Sequence, residues 1–318
     1  MKAVVFDKYG SIDNLRMEEI EKPEPKADEV RLKVYAASVN SGDLQLINGR
    51  LSSRLRTGIF RPGRTVPGID VSGIVDAMGP EAIGCTWGQE VYADLSDYGF
   101  GGFAEYVCVP KSAIALKPSN LSYVEAAAVP MAATTALQGL LTWGEMLSYR
   151  SALVIGAAGG VGHFAVQIAK NFNLQVTAVT REQNLDFVTS LGADYVMSYD
   201  EIDFSSDKHY ELIFDTVADN SAHKYRKMLT RDGKYVACAF SPSAVLHSPF
   251  GGILNNRKIV TFEAQPSMDD LAIIRKMIEK GNVTPKVDRI YTLEETGEAL
   301  KYLAAGNARG KVVIKIAG

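Results

Sequence analysis

At 318 residues, 47% hydrophobic and 22% charged with a formal net charge of −3, the chain has room for about two globular domains and no electrostatic bias toward nucleic acid or an anionic membrane. Cys85, Cys108 and Cys238 stand far apart with no C-x-x-C pair, which argues against a disulfide framework or a structural zinc cluster and for a reducing setting. No apolar run approaches a membrane span, and Met1-Lys-Ala-Val-Val-Phe6 runs into a strand with no cleavable signal, so the expected compartment is the cytoplasm.

Residues 1 to about 120 are rich in strand candidates: Ala3–Phe6, Arg16–Ile20, Glu29–Ala36, Gly73–Ala77, Glu90–Ala93 and Ala104–Val109, punctuated by Pro-Glu-Pro, Gly-Pro and Gly-Gly. Their spacing suits a small barrel-like or Greek-key domain rather than βαβ units. Leu44–Arg64 is basic, polar and glycine-interrupted, the pattern of a loop with helical turns at the mouth of a site. Tyr92, inside a predicted strand, is expected in the core.

From Ser122 the character changes. Tyr123–Met131 and Thr134–Met146 carry helical patterns interrupted by Pro130. An apolar, β-branched run at Leu153-Val-Ile155 then meets Gly156, Gly159, Gly160 and Gly162. Val161, Phe164, Ala165, Ile168 and Ala169 follow at helical spacing. A second apolar strand, Leu174–Thr180, completes a βαβ unit. Downstream, Leu185–Leu191 (helix), Tyr195-Val-Met197 (strand), Leu212–Asp215 (strand), His223–Leu229 (helix) and Lys234–Ala237 (strand) continue the alternation, which predicts an α/β domain with a doubly wound parallel sheet. A strand candidate at Asn256–Phe262 and amphipathic helices at Met268–Lys280 and Leu293–Ala305 come next. Lys311–Ile316 alternates as a strand and is expected to return to the N-terminal domain.

The glycine-rich turn is the chemical landmark. A tight reversal, close backbone approach to an anion and close helix-to-strand packing each ask for glycine, and the helix start offers unpaired N–H groups to a pyrophosphate. Gly159, Gly160 and Val161 are therefore candidate dinucleotide contacts. A carboxylate at the end of the second strand would favour NADH, but Thr180 and Arg181 stand there, with Glu182 one position late and Asn184 as a further donor. A hydroxyl and a guanidinium suit a 2′-phosphate, which points to NADPH. Ala239 and Phe240 follow a predicted strand, at the carboxyl edge where ligands bind.

The motifs in order are Ala37-Ser-Val-Asn-Ser-Gly-Asp43, Pro67-Gly-Ile-Asp-Val-Ser-Gly73, Gly88-Gln-Glu-Val91, Gly101-Gly-Phe-Ala-Glu-Tyr106, Ala126-Ala-Ala-Val-Pro130, Ala133-Thr-Thr-Ala136, Gly159-Gly-Val-Gly162, Leu191-Gly-Ala-Asp194 and Gly310-Lys-Val-Val313. Over nearly the whole chain this resembles the zinc-free branch of the medium-chain dehydrogenase/reductase superfamily, the quinone oxidoreductase or enone reductase group. The resemblance implies a Rossmann domain, 122–264, inserted in a β-rich barrel-like (GroES-like) catalytic domain, 1–121 and 265–318, and commonly a homodimer. It implies that Thr134 and Thr135 lie near the nicotinamide and phosphates. It also implies that Asn40 lies near the nicotinamide ribose and the substrate, where its amide is able to donate to a developing oxyanion; the simpler role is to cap the turn before Asp43. The tyrosine that several quinone reductases carry just after this asparagine is replaced by Leu44, Gln45 and Leu46, leaving water or a cofactor ribose hydroxyl as proton donor. Gly310 and Lys311 are read as structural, and Arg50 and Arg56 as candidates for steering an anionic or carbonyl substrate.

Zinc enzymes of that superfamily carry a cysteine and a histidine in the stretches that here read Ser38-Val-Asn40 and Pro67-Gly-Ile-Asp70, and a catalytic zinc needs about three protein ligands. Asp43 and Asp70 do not supply that set, and His163, His209, His223 and His247 show no ligand spacing. No metal is expected. Without a Lewis acid, hydride addition to a carbon polarised by conjugation is the accessible chemistry, with positioning supplying much of the rate. The expectation is a zinc-independent NADPH-dependent reductase of quinones or α,β-unsaturated carbonyls, with no nucleic-acid or membrane partner. Its rivals are an oxidoreductase of another carbonyl compound and a non-catalytic NADPH-binding protein.

Overall fold

The computed structural model describes residues 1–62, 66–205, 208–218, 222–238 and 258–317, without the side chains of Ser52, Arg56, His223 and Lys258. Ala239, Phe240, His247 and the first part of the Asn256–Phe262 candidate lie outside the described residues, as does the Arg56 side chain. Two compact units emerge: residues 1–131, 266–279 and 285–318 form one, and residues 132–265 and 280–284 the other.

The first unit carries strands β1 (Lys2–Val5), β2 (Arg16–Glu19), β3 (Glu29–Val39), β4 (Asp70–Met78), β5 (Glu90–Asp94), β6 (Tyr106–Pro110) and β7 (Ile114–Leu116). In the second lie β8 (Ser151–Ile155), β9 (Gln175–Thr180), β10 (Tyr195–Ser198), β11 (Tyr210–Asp215), β12 (Leu229–Ala237) and β13 (Lys258–Thr261); β14 (Val287–Thr292) and β15 (Lys311–Lys315) return to the first. Its main sheet runs β14-β15-β3-β4-β5-β7, with β6 also paired to β3. The eleven-residue β3 is the spine: alternate positions Val30, Leu32 and Val34 are buried with Val71, Val75, Val91, Phe103 and Val312, and from Ala36 onward every position is buried. The C-terminal strand returns as expected, Val312 pairing with Val39 and Lys315 with Ala36.

Leu44–Arg64, expected as a loop with helical turns, contains two short helices, α1 (Ser41–Ile47) and α2 (Leu51–Thr57). Helix α3 (Tyr123–Ala127) belongs to the first unit although the sequence-based boundary put residue 122 onward in the other domain. Tyr123 stacks on Tyr35 with ring centroids 4.3 Å apart, and its carbonyl accepts from Ser72 Oγ at 2.5 Å. Pro130 opens helix α4 (Pro130–Gln138), the helical position proline tolerates best. The expected Thr134–Met146 helix stops short: Gly139–Trp143 widens into a π-turn and Met146–Ser148 is a 3-10 turn, with Gly139 and Gly144 weakening the α-helix between.

In the second unit six parallel strands run β10-β9-β8-β11-β12-β13, so that order of appearance reads 3-2-1-4-5-6. Short apolar runs such as Ala152–Ile155 and Leu212–Asp215 are buried throughout, as strands covered on both faces must be. Helix α5 (Gly162–Asn171) follows β8 directly. In this topology ligands bind beyond the carboxyl ends of the strands, where the order reverses between β8 and β11.

Candidate active site

At the end of β8 the chain turns at Gly156, whose φ of +78° a side chain would strain. The N–H groups of Gly156 and Ala157 both donate to Val179 O, at 3.1 and 3.0 Å, tying the turn to β9. A Cβ on Gly162 would lie 2.1 Å from Gly156 O, so the helix reaches the turn only because that position is bare. A Cβ on Gly159 would meet only Gly156 O, at 3.3 Å. Among the described residues nothing else fills the space there. Behind the turn the buried His163 ring places Nδ1 3.1 Å from Gly159 O.

Thr180 ends β9 buried, and Arg181 follows it exposed, just before the 3-10 turn Glu182–Asn184. Asn184 is buried, its N–H donating to Arg181 O at 2.9 Å. Glu182 thus lies inside the next turn rather than at the strand end. On α4, Thr134 is 1% exposed and its Oγ1 has no hydrogen-bond partner among the described residues. A buried hydroxyl left unpaired costs free energy, so a ligand that accepts or donates there relieves a deficit. The orphan hydroxyl and the open space at Gly159 both fit a dinucleotide. Sequence reasoning passed over Asp215, which ends β11 beside the strand reversal. Its Oδ1 accepts from the N–H groups of Val217 and Ala218 at 2.8 and 2.9 Å, and its Oδ2 from Tyr235 Oη at 2.6 Å.

The first unit holds a buried polar row built by strand register. Ser38 on β3 faces Asp70 on β4, and Asp70 faces Asp94 on β5. Continuing the Val312–Val39 register by one residue sets Lys311 opposite Asn40, the residue that precedes α1. Asp70 Oδ2 accepts from Ser38 Oγ at 2.8 Å, Asn40 Nδ2 at 2.9 Å and Lys311 Nζ at 3.3 Å, while Oδ1 accepts from Met131 N–H at 2.8 Å. Asn40 Oδ1 accepts from Lys311 Nζ, and Nδ2 also donates to Ser38 O at 3.2 Å. Both amide hydrogens of Asn40 are therefore engaged. Its backbone N–H donates to Asp43 Oδ2 at 2.8 Å, and Asp43 Oδ1 accepts from Gly68 N–H at 3.1 Å.

Burial raises the Asp43 carboxyl to about 8, against the two N–H donors that favour its charge. Burial, then the neighbouring Asp70 charge, raises Asp94 to about 7. The signal for Lys311 was weak, a lysine opening an apolar strand; its partners lie hundreds of residues away. Tyr92 is a core residue, its hydroxyl donating to Leu271 O at 2.8 Å and its acidity suppressed by burial. Arg50 is exposed and precedes α2, whereas Arg54, which the sequence did not single out, is held by Gly49 O at 2.7 Å and lies 4.8 Å over the Tyr9 ring. Among the described residues no group of three or more His, Cys, Asp or Glu side chains is arranged to hold a metal ion.

Residues 26–119 match the family model of the alcohol dehydrogenase GroES-like domain and residues 191–314 that of zinc-binding dehydrogenase. The chain is 34% identical to the 2-methylene-furan-3-one reductase of Solanum lycopersicum and 35% identical to the chloroplastic NADPH-dependent alkenal/one oxidoreductase of Arabidopsis thaliana, in each case over 99% of this chain and 79% of the other. It belongs to the quinone and enone reductase group of the medium-chain dehydrogenase/reductase superfamily. Among solved members of this superfamily, the quinone oxidoreductase from Coxiella burnetii superposes with a TM-score of 0.87 at 27% identity, covering 99% of both chains. An NAD-dependent alcohol dehydrogenase superposes with a TM-score of 0.86 at 27% identity over both whole chains. This chain's Ser38–Asn40 and Pro67–Asp70 segments contain no cysteine or histidine.

Proposed function

We propose that this chain is a zinc-independent, NADPH-dependent oxidoreductase that delivers hydride to a quinone or an α,β-unsaturated carbonyl. The observation that carries this is the 35% identity over 99% of the chain to a protein named NADPH-dependent alkenal/one oxidoreductase. Thr180 and Arg181, standing where an NADH enzyme keeps a carboxylate, support the cofactor choice.

Bound NADPH supplies the hydride. The turn residues Gly159, Gly160 and Val161 hold the pyrophosphate on backbone N–H groups, and Thr180, Arg181 and Asn184 hold the 2′-phosphate. Thr134 gives its unpaired hydroxyl to the cofactor, and Ala239 and Phe240 are counted among the cofactor contacts on their place in the sequence. Asn40 positions the acceptor and the nicotinamide. Its two amide hydrogens are spent on Ser38 and Asp70, so it acts through its held carbonyl oxygen and the fixed backbone before α1 rather than by giving a hydrogen to an oxyanion. Water or a ribose hydroxyl supplies the proton, and Arg50 and Arg56 steer the acceptor carbonyl. No metal enters, since the zinc-ligand positions hold serine, asparagine and aspartate. The working unit is a homodimer in the cytoplasm.

The experiment is oxidation of NADPH and of NADH, with and without a chelator, with a small quinone and a short-chain enone supplied separately. Faster chelator-insensitive oxidation of NADPH with either acceptor supports the reading. Silence with both acceptors despite NADPH binding sinks it.

A further inference from the structure

Lysine is rarely buried without a partner that needs it. Lys311 is 3% exposed, and its ammonium meets Asn40 Oδ1 and Asp70 Oδ2. A side-chain amide has two ways of facing its surroundings, related by exchange of oxygen and nitrogen. Lys311 has only hydrogens to give and the Asp70 carboxylate only lone pairs. With the amide reversed, N–H groups would face the ammonium and the oxygen would face the carboxylate. One orientation remains. Ser38 O reinforces it by accepting the second amide hydrogen.

We propose that Lys311 is the positioning residue of the acceptor site, its ammonium fixing the Asn40 amide in this single orientation and anchoring it to Asp70 at the entry to α1. The proposal rests on Asn40 being the residue that positions acceptor and nicotinamide. A purely structural ion pair is an inefficient way to fill a core, because apolar replacements of similar volume often stabilise as well or better. A pair that also sets a polar side chain in the site has a reason to be there.

The test compares Asn40→Ala, Lys311→Met, Asp70→Asn/Lys311→Met and Asn40→Ala/Lys311→Met by steady-state kinetics, NADPH titration and thermal melting. Lys311→Met leaves a buried carboxylate without its cation and lowers the melting temperature; the Asp70→Asn/Lys311→Met pair removes both charges, keeps an acceptor for the Asn40 amide and recovers the melting temperature. Turnover with the acceptor is expected to fall about 10- to 100-fold in both variants, the cost of a misplaced group, while NADPH affinity stays within about twofold. Asn40→Ala falls similarly, and adding Lys311→Met to it costs little more, because the two act as one unit.

Wild-type turnover in the refolded, charge-free pair would reduce Lys311 to a structural role and overturn the inference. Slow Asn40→Ala with full-speed Lys311→Met would overturn it alone. Full-speed Asn40→Ala would show instead that Asn40 has no part in positioning, and the inference would fall with that reading.

Discussion

Thr134 is buried with a hydroxyl that meets no described acceptor or donor, and this makes an isosteric change informative in two directions at once. Thr134→Val removes the unpaired group, so the protein without cofactor should melt at a higher temperature by the equivalent of about 1 kcal/mol. The same variant should bind NADPH about tenfold more weakly, having lost one hydrogen bond; calorimetric melting and fluorescence titration read the two effects separately. Arg181→Glu replaces a guanidinium by a like charge to the 2′-phosphate, and kcat/KM for NADPH should drop about 100-fold while that for NADH changes little. Asp94 gives the pH dependence. Its carboxyl is raised to about 7 from an ordinary 3.8, so the folded state holds a proton that the unfolded chain releases from about pH 4 upward. Stability from this group is complete below that pH and is lost as pH rises toward 7. Asp94→Asn keeps an acceptor for the Ser96 N–H, which lies 2.9 Å from Asp94 Oδ1, and should match wild type near pH 4 yet melt higher near pH 8, by on the order of 2 kcal/mol. A flat difference between the two melting curves across that range would refute the assignment.

The strand, turn and helix of residues 151–171 contain two glycines that look alike in sequence and differ in what surrounds them. Gly162→Ala would drive a methyl group to 2.1 Å from Gly156 O and should disrupt the turn, lowering both stability and NADPH binding. Gly159→Ala would meet one carbonyl at 3.3 Å, so its melting temperature should stay near wild type while NADPH binding weakens by tenfold or more, about 1.4 kcal/mol. Equal NADPH affinity in Gly159→Ala and wild type, by titration, would place the phosphates elsewhere. This unit was legible because its signal is local: an apolar run, glycines and a helical stripe sit in consecutive residues, and Leu153–Ile155 and the helix after Gly160 fall inside β8 and α5. The polar row of the other unit was not legible. Ser38, Asn40, Asp70, Asp94 and Lys311 meet only through the register of four strands, and no spacing rule in one dimension encodes that. Residues 122–131, expected from 122 onward with the other domain, cluster with the first unit, and an alanine-rich helical pattern does not say which sheet the helix will cover.

For the whole molecule, the homodimer reading predicts a sedimenting species of twice the 34.5 kDa chain, unchanged by dilution across the assay range. A concentration-independent species at the single-chain mass would refute it. The placement of β15 has another consequence. Residues 311–315 are the last strand along the chain, yet they lie inside their sheet, between β14 and β3. On a translating ribosome the second unit has its described strands in hand while the Ala36–Val39 end of β3, already paired with β4, still waits for β15 on its other side. Until then Ala36–Val39 presents an open strand edge able to pair with another chain. Lys311 also arrives late, so Asn40 and Asp70 spend most of synthesis without their cation. A nascent chain halted before residue 311 would therefore carry a well-formed cofactor fold and an unfinished acceptor site, a vulnerability in time that the finished molecule does not reveal.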